Sequence, residues 1–159
     1  MPHFCRRSFW DTLSHMNHST DQPEEQSVQG QPAELSPQAR EFLESTFDMA
    51  RGGDEAKLLM LLDQGLPANL ANENGDSYLI LAAYNDHTSL AQTLLNRQAD
   101  VNWSNQRGQT ALTCAVFKQN IELIKLLLQA GADPNHGEQS ATQVAEMFGT
   151  PEIQSLLKE

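Results

Sequence analysis

The 159-residue chain is short of basic charge, of cysteine and of long apolar runs. Ten Lys and Arg stand against 21 Asp and Glu, a formal net charge of −11. A surface that acidic repels phosphate backbones and anionic lipid headgroups, which argues against nucleic-acid and membrane partners. The two cysteines, Cys5 and Cys114, lie far apart in unlike settings. Neither a disulfide framework nor a four-thiolate zinc site can be built from them, so packing alone must hold the chain together. No apolar run approaches the roughly 18 residues needed to cross a bilayer. The length suits one ordinary domain, or a smaller one carrying a tail.

Composition divides the chain near residue 35. Residues 1–35 carry Arg6 and Arg7 against Asp11, Asp21, Glu24, Glu25 and Glu34, and so hold −3 of the charge. From Asn17 to Pro32 the only large aliphatic residue is Val28. Such a segment buries too little apolar area to offset chain entropy, and residues 1–34 are expected to be disordered. Arg6-Arg7-Ser8-Phe9 superficially resembles a twin-arginine export signal, but the polar stretch Asp11–Thr20 has no apolar core of the kind such signals need. A cytoplasmic location is therefore expected, with Met16 as an alternative start. His15 and His18 lack a third ligand and read as solvated side chains rather than a metal site.

What the rest of the chain does have is self-similarity. A shift of 33 residues places Gly75 on Gly108, Ser77 on Thr110, Leu79 on Leu112, Ala82 on Ala115, Leu94-Leu95 on Leu127-Leu128, and Asp100 and Asn102 on Asp133 and Asn135. The register extends back to Ala50, Leu61-Leu62 and Asn69, and forward with an offset of 30 to Ala145, Glu152 and Leu156-Leu157. Four units follow, at about 37–74, 75–107, 108–136 and 137–159 within a domain of residues 35–159, the last with a connecting loop three residues shorter. Each unit reads as two short helices and a loop. Ser77 caps a predicted helix over 78–84 with Leu79, Ala82 and Ala83 on one face, and a second helix follows over 88–96 with Leu90, Leu94 and Leu95 inward. Ala82, Ala83 and Ala115 are short enough to let neighbouring helices approach closely. Ser36-Pro37 starts a longer helix of about fourteen residues, suited to an N-terminal cap, and Thr150-Pro151 opens a last one with a polar outer side.

The segments GDSYLILAAYNDH and QADVN in unit two, and GQTALTCAVFKQN and GADPN in unit three, resemble the ankyrin repeat over about residues 37–159. The departures are Tyr78 and Ala111 where that pattern has proline, Ile80 and Thr113 where it has histidine, and Asp86-His87 and Gln119-Asn120 where it has Gly-His. The resemblance implies an all-α solenoid of four helix-turn-helix units with β-hairpin-like loops. It also implies that His87 is a structural residue of the inter-helix turn.

Little in the sequence points to catalysis. Cys114 sits at a buried first-helix position beside Ala115 and reads as a small core filler. His136 has no Cys or carboxylate at triad spacing, and there is no phosphate-binding loop, nucleophile elbow, HExxH or CxxC. No enzyme activity, cofactor or metal is expected.

The resemblance instead implies function by surface, through the hairpin tips and the exposed ends of the first helices. Carried over position by position, the contacts fall at Arg51, Tyr84, Asn85, Phe117, Lys118, Met147 and Phe148 on the helices. On the loops they fall at Glu73, Asn74, Asp76, Gln106, Arg107 and Gln109, with Trp103 at the hairpin base. Tyr84, Phe117 and Met147 share one position in successive units. Aromatic and Met side chains flanked by Arg and Lys are the composition of an interface hot spot, so Arg51, Tyr84, Asn85, Trp103, Arg107, Phe117, Lys118 and Met147 are the candidate partner-binding residues. The expected function is a monomeric, non-catalytic module that binds another protein and regulates or scaffolds it. The alternative is a stability or assembly factor for one enzyme, with the N-terminal tail ordering on binding.

Overall fold

The computed structural model describes residues 36–158. The expectations for residues 1–34, including the tail, Met16, Cys5 and the His15/His18 pair, fall outside the described residues. The first helix, α1 (Pro37–Gly52), starts as the sequence predicts. The Ser36 hydroxyl accepts from the Ala39 amide at 3.1 Å and Pro37 takes the first helical position, where a missing N–H costs nothing. The helix runs two residues past the predicted fourteen, to a left-handed cap at Gly53 (φ 75°). Its inward stripe is Ala39, Leu43, Thr46, Phe47 and Ala50, while Glu41, Glu44 and Asp48 face water.

Seven further helices complete the described residues: α2 (Glu55–Asp63), α3 (Tyr78–Tyr84), α4 (Thr88–Asn96), α5 (Ala111–Phe117), α6 (Ile121–Gln129), α7 (Ala141–Phe148) and α8 (Pro151–Lys158). The bounds of α3 and α4 are those the sequence predicts. Ser77, Thr110 and Ser140 each cap the helix that follows by accepting from the amide three residues on, so a repeated hydroxyl punctuates the repeated unit. The helices pair as α1–α2, α3–α4, α5–α6 and α7–α8, and α1, α3, α5 and α7 stack side by side as an inner layer. That layer is the core. Tyr78–Ala83 and Ala111–Val116 are buried without a break, with Ala82, Ala83 and Ala115 fully covered at the seams.

Side-chain amides stitch one unit to the next at the same 33-residue interval. Asn69 accepts from the Asp100 amide at 2.7 Å and Asn102 from the Asp133 amide at 2.8 Å, while Asp100 and Asp133 close their own turns onto the amides of Asn102 and Asn135. At the loop tips, Asn72 accepts from the amides of Asn74 and Asp76, and Asn105 from those of Arg107 and Gln109. These are the side-chain-to-backbone turns that Asn favours. They take the place of a regular ladder: among the described residues there is no strand, and the expected hairpin character is limited to one bridge between Ala71 and Ser77.

Candidate functional site

The inner helices end in exposed side chains. Tyr84, Phe117 and Phe148 close α3, α5 and α7 and are about half exposed, at 50%, 48% and 53%, with Met147 at 69%. Leaving large apolar groups in water at the same place in three successive helices is costly unless something else covers them. Phe117 and Phe148 meet edge to face with centroids 5.8 Å apart, and the Lys118 ammonium lies 5.1 Å from the centre of the Tyr84 ring. The Gln119 amide fixes this end of α7 by donating to the Phe148 carbonyl at 3.0 Å.

These rings wall a cleft of about 570 Å³. A polar rim stands at the other end of the inner helices, formed by Asn74, Asp76, Arg107, Gln109 and Gln139. Arg51 lies in the last turn of α1 at the position equivalent to Tyr84, and Cys114 and Val144 also line the cleft. Asp76, Gln109 and Gln139 each immediately precede an N-cap, so the rim repeats with the units. Asp76 is already engaged, accepting from the Asn105 amide at 2.7 Å. Arg51 pairs with Asp48, and its backbone carbonyl lies 2.8 Å from a His87 ring nitrogen. His87 therefore ties unit two to unit one, a wider role than closing its own turn. Arg107 and Lys118 make no ion pair among the described residues.

Of the candidate binding residues, Arg51, Tyr84, Asn85, Arg107, Phe117 and Met147 line this cleft, and Lys118 borders it through Tyr84. Asn85 is half-buried and donates to the Leu81 carbonyl at 2.8 Å, capping its own helix end. Trp103 is not brought there. Its indole is half-buried against the core and donates to the Gly75 carbonyl at 2.9 Å, which fastens the last loop of unit two to that unit's start. Gln139 is a rim residue that the contact positions carried over from the repeat pattern do not include, although the 30-residue offset places it on Gln109.

Cys114 is 4% exposed. Burial pushes its thiol up from 9.0 to about 12; the Asp76 carboxylate adds to this, and Arg107 and Lys118 oppose it. A thiol held protonated is a poor nucleophile, and neither His87 nor His136 lines the cleft. Among the described residues no group of three or more His, Cys, Asp and Glu is placed to hold a metal ion, and no helix is long and apolar enough to cross a membrane. The raised thiol has a consequence for stability. Above pH 9 the unfolded chain releases this proton while the folded chain keeps it, so stability present below pH 9 falls as pH rises toward 12. Melting curves at pH 7, 9 and 10 are expected to show a smaller fall for Cys114→Ala than for the parent. The phenol of Tyr78, also held protonated by burial, adds its own loss above pH 10.

A sequence profile of three tandem ankyrin repeats matches residues 47–138. The chain is also 50% identical over 54 residues to a Pseudomonas aeruginosa protein named for its ankyrin repeats, a match covering 34% of this chain and 32% of that relative. The chain thus spans about a third of the length of the curated relative it matches. Ankyrin repeats are generally protein–protein interaction modules and generally non-catalytic. With the profile covering more than half its length and the eight helices of the described residues stacked in four pairs, the chain belongs to the ankyrin repeat family.

Proposed function

We propose that this protein binds a partner protein through the cleft on its inner-helix face, and that it regulates or scaffolds that partner without catalysing a reaction on it. The exposed row Tyr84, Phe117, Met147 and Phe148 carries the reading, because its members serve no core of their own. Large aromatic side chains beside Arg are the residues that dominate interface energies. The outer sides of α1 and α8 support a monomer, since their exposed positions include Arg40, Glu41, Glu44, Asp48, Glu152 and Lys158 and leave only Phe42, Met49 and Leu156 partly uncovered. A buried free thiol at Cys114 suits the reducing cytoplasm.

The test is capture of partners by the intact protein, with Tyr84→Ala/Phe117→Ala as the comparison. Removing both rings is expected to weaken the captured complex at least tenfold, about 1.4 kcal/mol or more. The melting temperature should stay within a few degrees, because both rings are half in water. A complex indifferent to the double substitution would move the site elsewhere.

A further inference from the structure

We infer that the cleft takes a linear acidic segment of its partner, with carboxylates held between Arg107 and Lys118 and apolar side chains laid along Tyr84, Phe117 and Phe148. The inference rests on the reading of the cleft as a protein-binding surface and adds the chemistry of the occupant.

Charge complementarity carries it. In a chain of net charge −11 the cleft runs the other way: Arg51 and Arg107 line it against the single carboxylate of Asp76, and Lys118 adds a cation at the Tyr84 ring. Asp76 is occupied by Asn105 and Arg51 by Asp48, which leaves Arg107 and Lys118 as the cations without a carboxylate partner among the described residues. The two flank α5, Arg107 on the loop before it and Lys118 directly after its last residue. An extended segment crossing α5 would carry carboxylates to both sides of that helix, one toward each cation, where charge-assisted contacts are strong. Long polyanions are disfavoured, because the remaining surface would repel charge that extends beyond the cleft.

Geometry adds a spacing. Packed helices lie about 8–10 Å apart, so the seventh residues of α3, α5 and α7, which are Tyr84, Phe117 and Met147, recur at about that distance, while Phe148 closes on Phe117 at 5.8 Å. A polyproline II segment puts every third side chain on one face, about 9 Å apart. Apolar residues at every third position would therefore each meet one of Tyr84, Phe117 and Met147, leaving the residues between them to carry the acidic groups.

The probe is a fluorescent twelve-residue peptide with Phe, Phe and Leu at every third position and Glu and Pro between, compared with its Glu→Gln and Glu→Lys versions. Anisotropy titrations with the full chain are expected to show the Glu peptide binding at least tenfold tighter than the other two. That margin should shrink as salt is raised. Arg107→Gln/Lys118→Gln is expected to abolish the margin, and Arg107→Glu/Lys118→Glu to turn the preference toward the Lys peptide, both with unchanged melting. Equal affinities, or no binding of the Glu peptide, would overturn the inference. So would displacement of the probe by millimolar inorganic phosphate at constant ionic strength, which would make this a phosphate site. Displacement by a synthetic peptide of residues 1–35 would overturn it too, by giving the cleft to the chain's own N-terminus. Loss of a captured partner with the Tyr84/Phe117 variant but not with the Arg107/Lys118 variant would remove the acidic preference and keep the protein-binding site. Loss with neither would remove both.

Discussion

Replacing Tyr78 with Ala is expected to destabilise the protein by about 3–5 kcal/mol, lowering the melting temperature by roughly 10–20 °C for an array of this size. The side chain is fully buried, its ring stacked on Phe47 at 4.8 Å with an interplanar angle of 27°. Its hydroxyl lies 2.7 Å from that of Thr46, and Thr46 donates its one proton to the Leu43 carbonyl at 2.6 Å. Tyr78 must therefore be the donor in the pair. Tyr78→Phe keeps the ring and leaves Thr46 satisfied through Leu43, so it should cost only about 1 kcal/mol. Thr46→Val strands the phenol in the core with no acceptor and should cost more than that, up to about 3 kcal/mol. The expected order of melting temperatures is parent, Tyr78→Phe, Thr46→Val, Tyr78→Ala. Because each unit of a solenoid contacts only its neighbours, hydrogen exchange should rise first in α1 and α2. Protection of α5–α8 should largely persist. A Tyr78→Phe variant as unstable as Tyr78→Ala would put the energy in the phenol rather than the ring.

Tyr78 also shows where the sequence was hard to read. The repeat pattern has proline there, and a departure from a pattern suggests a softened turn; only the packing against α1 shows an anchor. Helix ends were legible because they are chemically marked. Ser77, Thr110 and Ser140 stand before the inner helices, and the non-glycine residues Asp86 and Gln119 still adopt the left-handed conformation (φ 63° and 58°) that ends the family's first helix. Burial was less legible. Reading Leu79, Ala82 and Ala83 as one inward face captures half of what is buried, because every position of α3 and α5 but the last is buried and such a helix has no apolar stripe to detect.

The cleft divides the same way. Counting in steps of 33 and 30 reaches Tyr84, Phe117 and Met147, and those three do share the seventh position of their helices. It misses the ring geometry. The last inner helix, α7, has eight residues where α3 and α5 have seven, and it is followed by Gly149 in an extended conformation (φ −81°, ψ 153°). Phe148 thereby continues the wall against Phe117. Trp103 errs in the opposite direction. No spacing rule separates an indole waiting for a partner from one already bonded to the chain's own backbone, and the hydrogen bond to Gly75 decides it.

The shortened loop that leads into the fourth unit makes the second large prediction. Gly137 adopts φ 91°, and a Cβ there would land on the Gly108 carbonyl oxygen; Gly108, at φ 77°, is blocked in turn, its own Cβ falling 2.8 Å from the Glu138 amide nitrogen. Two backbones pass here with no room for a side chain on either, and neither can yield as a flexible side chain could. Gly137→Ala is expected to cost about 2–4 kcal/mol, combining the left-handed penalty of an L-residue with the backbone displacement. Gly131→Ala isolates the first part, because Gly131 has φ 100° but nothing lies within 4 Å of where its methyl group would stand. It should cost about 1 kcal/mol. The difference between the two variants then measures the close approach itself. The loss should also reach the cleft. The Gly108 carbonyl accepts from the Gln139 amide at 3.0 Å, and the Gln139 side chain donates to the Arg107 carbonyl at 3.0 Å, so a backbone pushed off Gly108 carries the Arg107 rim with it. Gly137→Ala should therefore raise hydrogen exchange in α7 and α8 before α3 and α4 and weaken binding of the acidic probe, while Gly131→Ala leaves that binding unchanged. Equal melting temperatures for the two glycine variants would show that the loop tip has room to relax and that its three-residue shortening does not constrain the fourth unit.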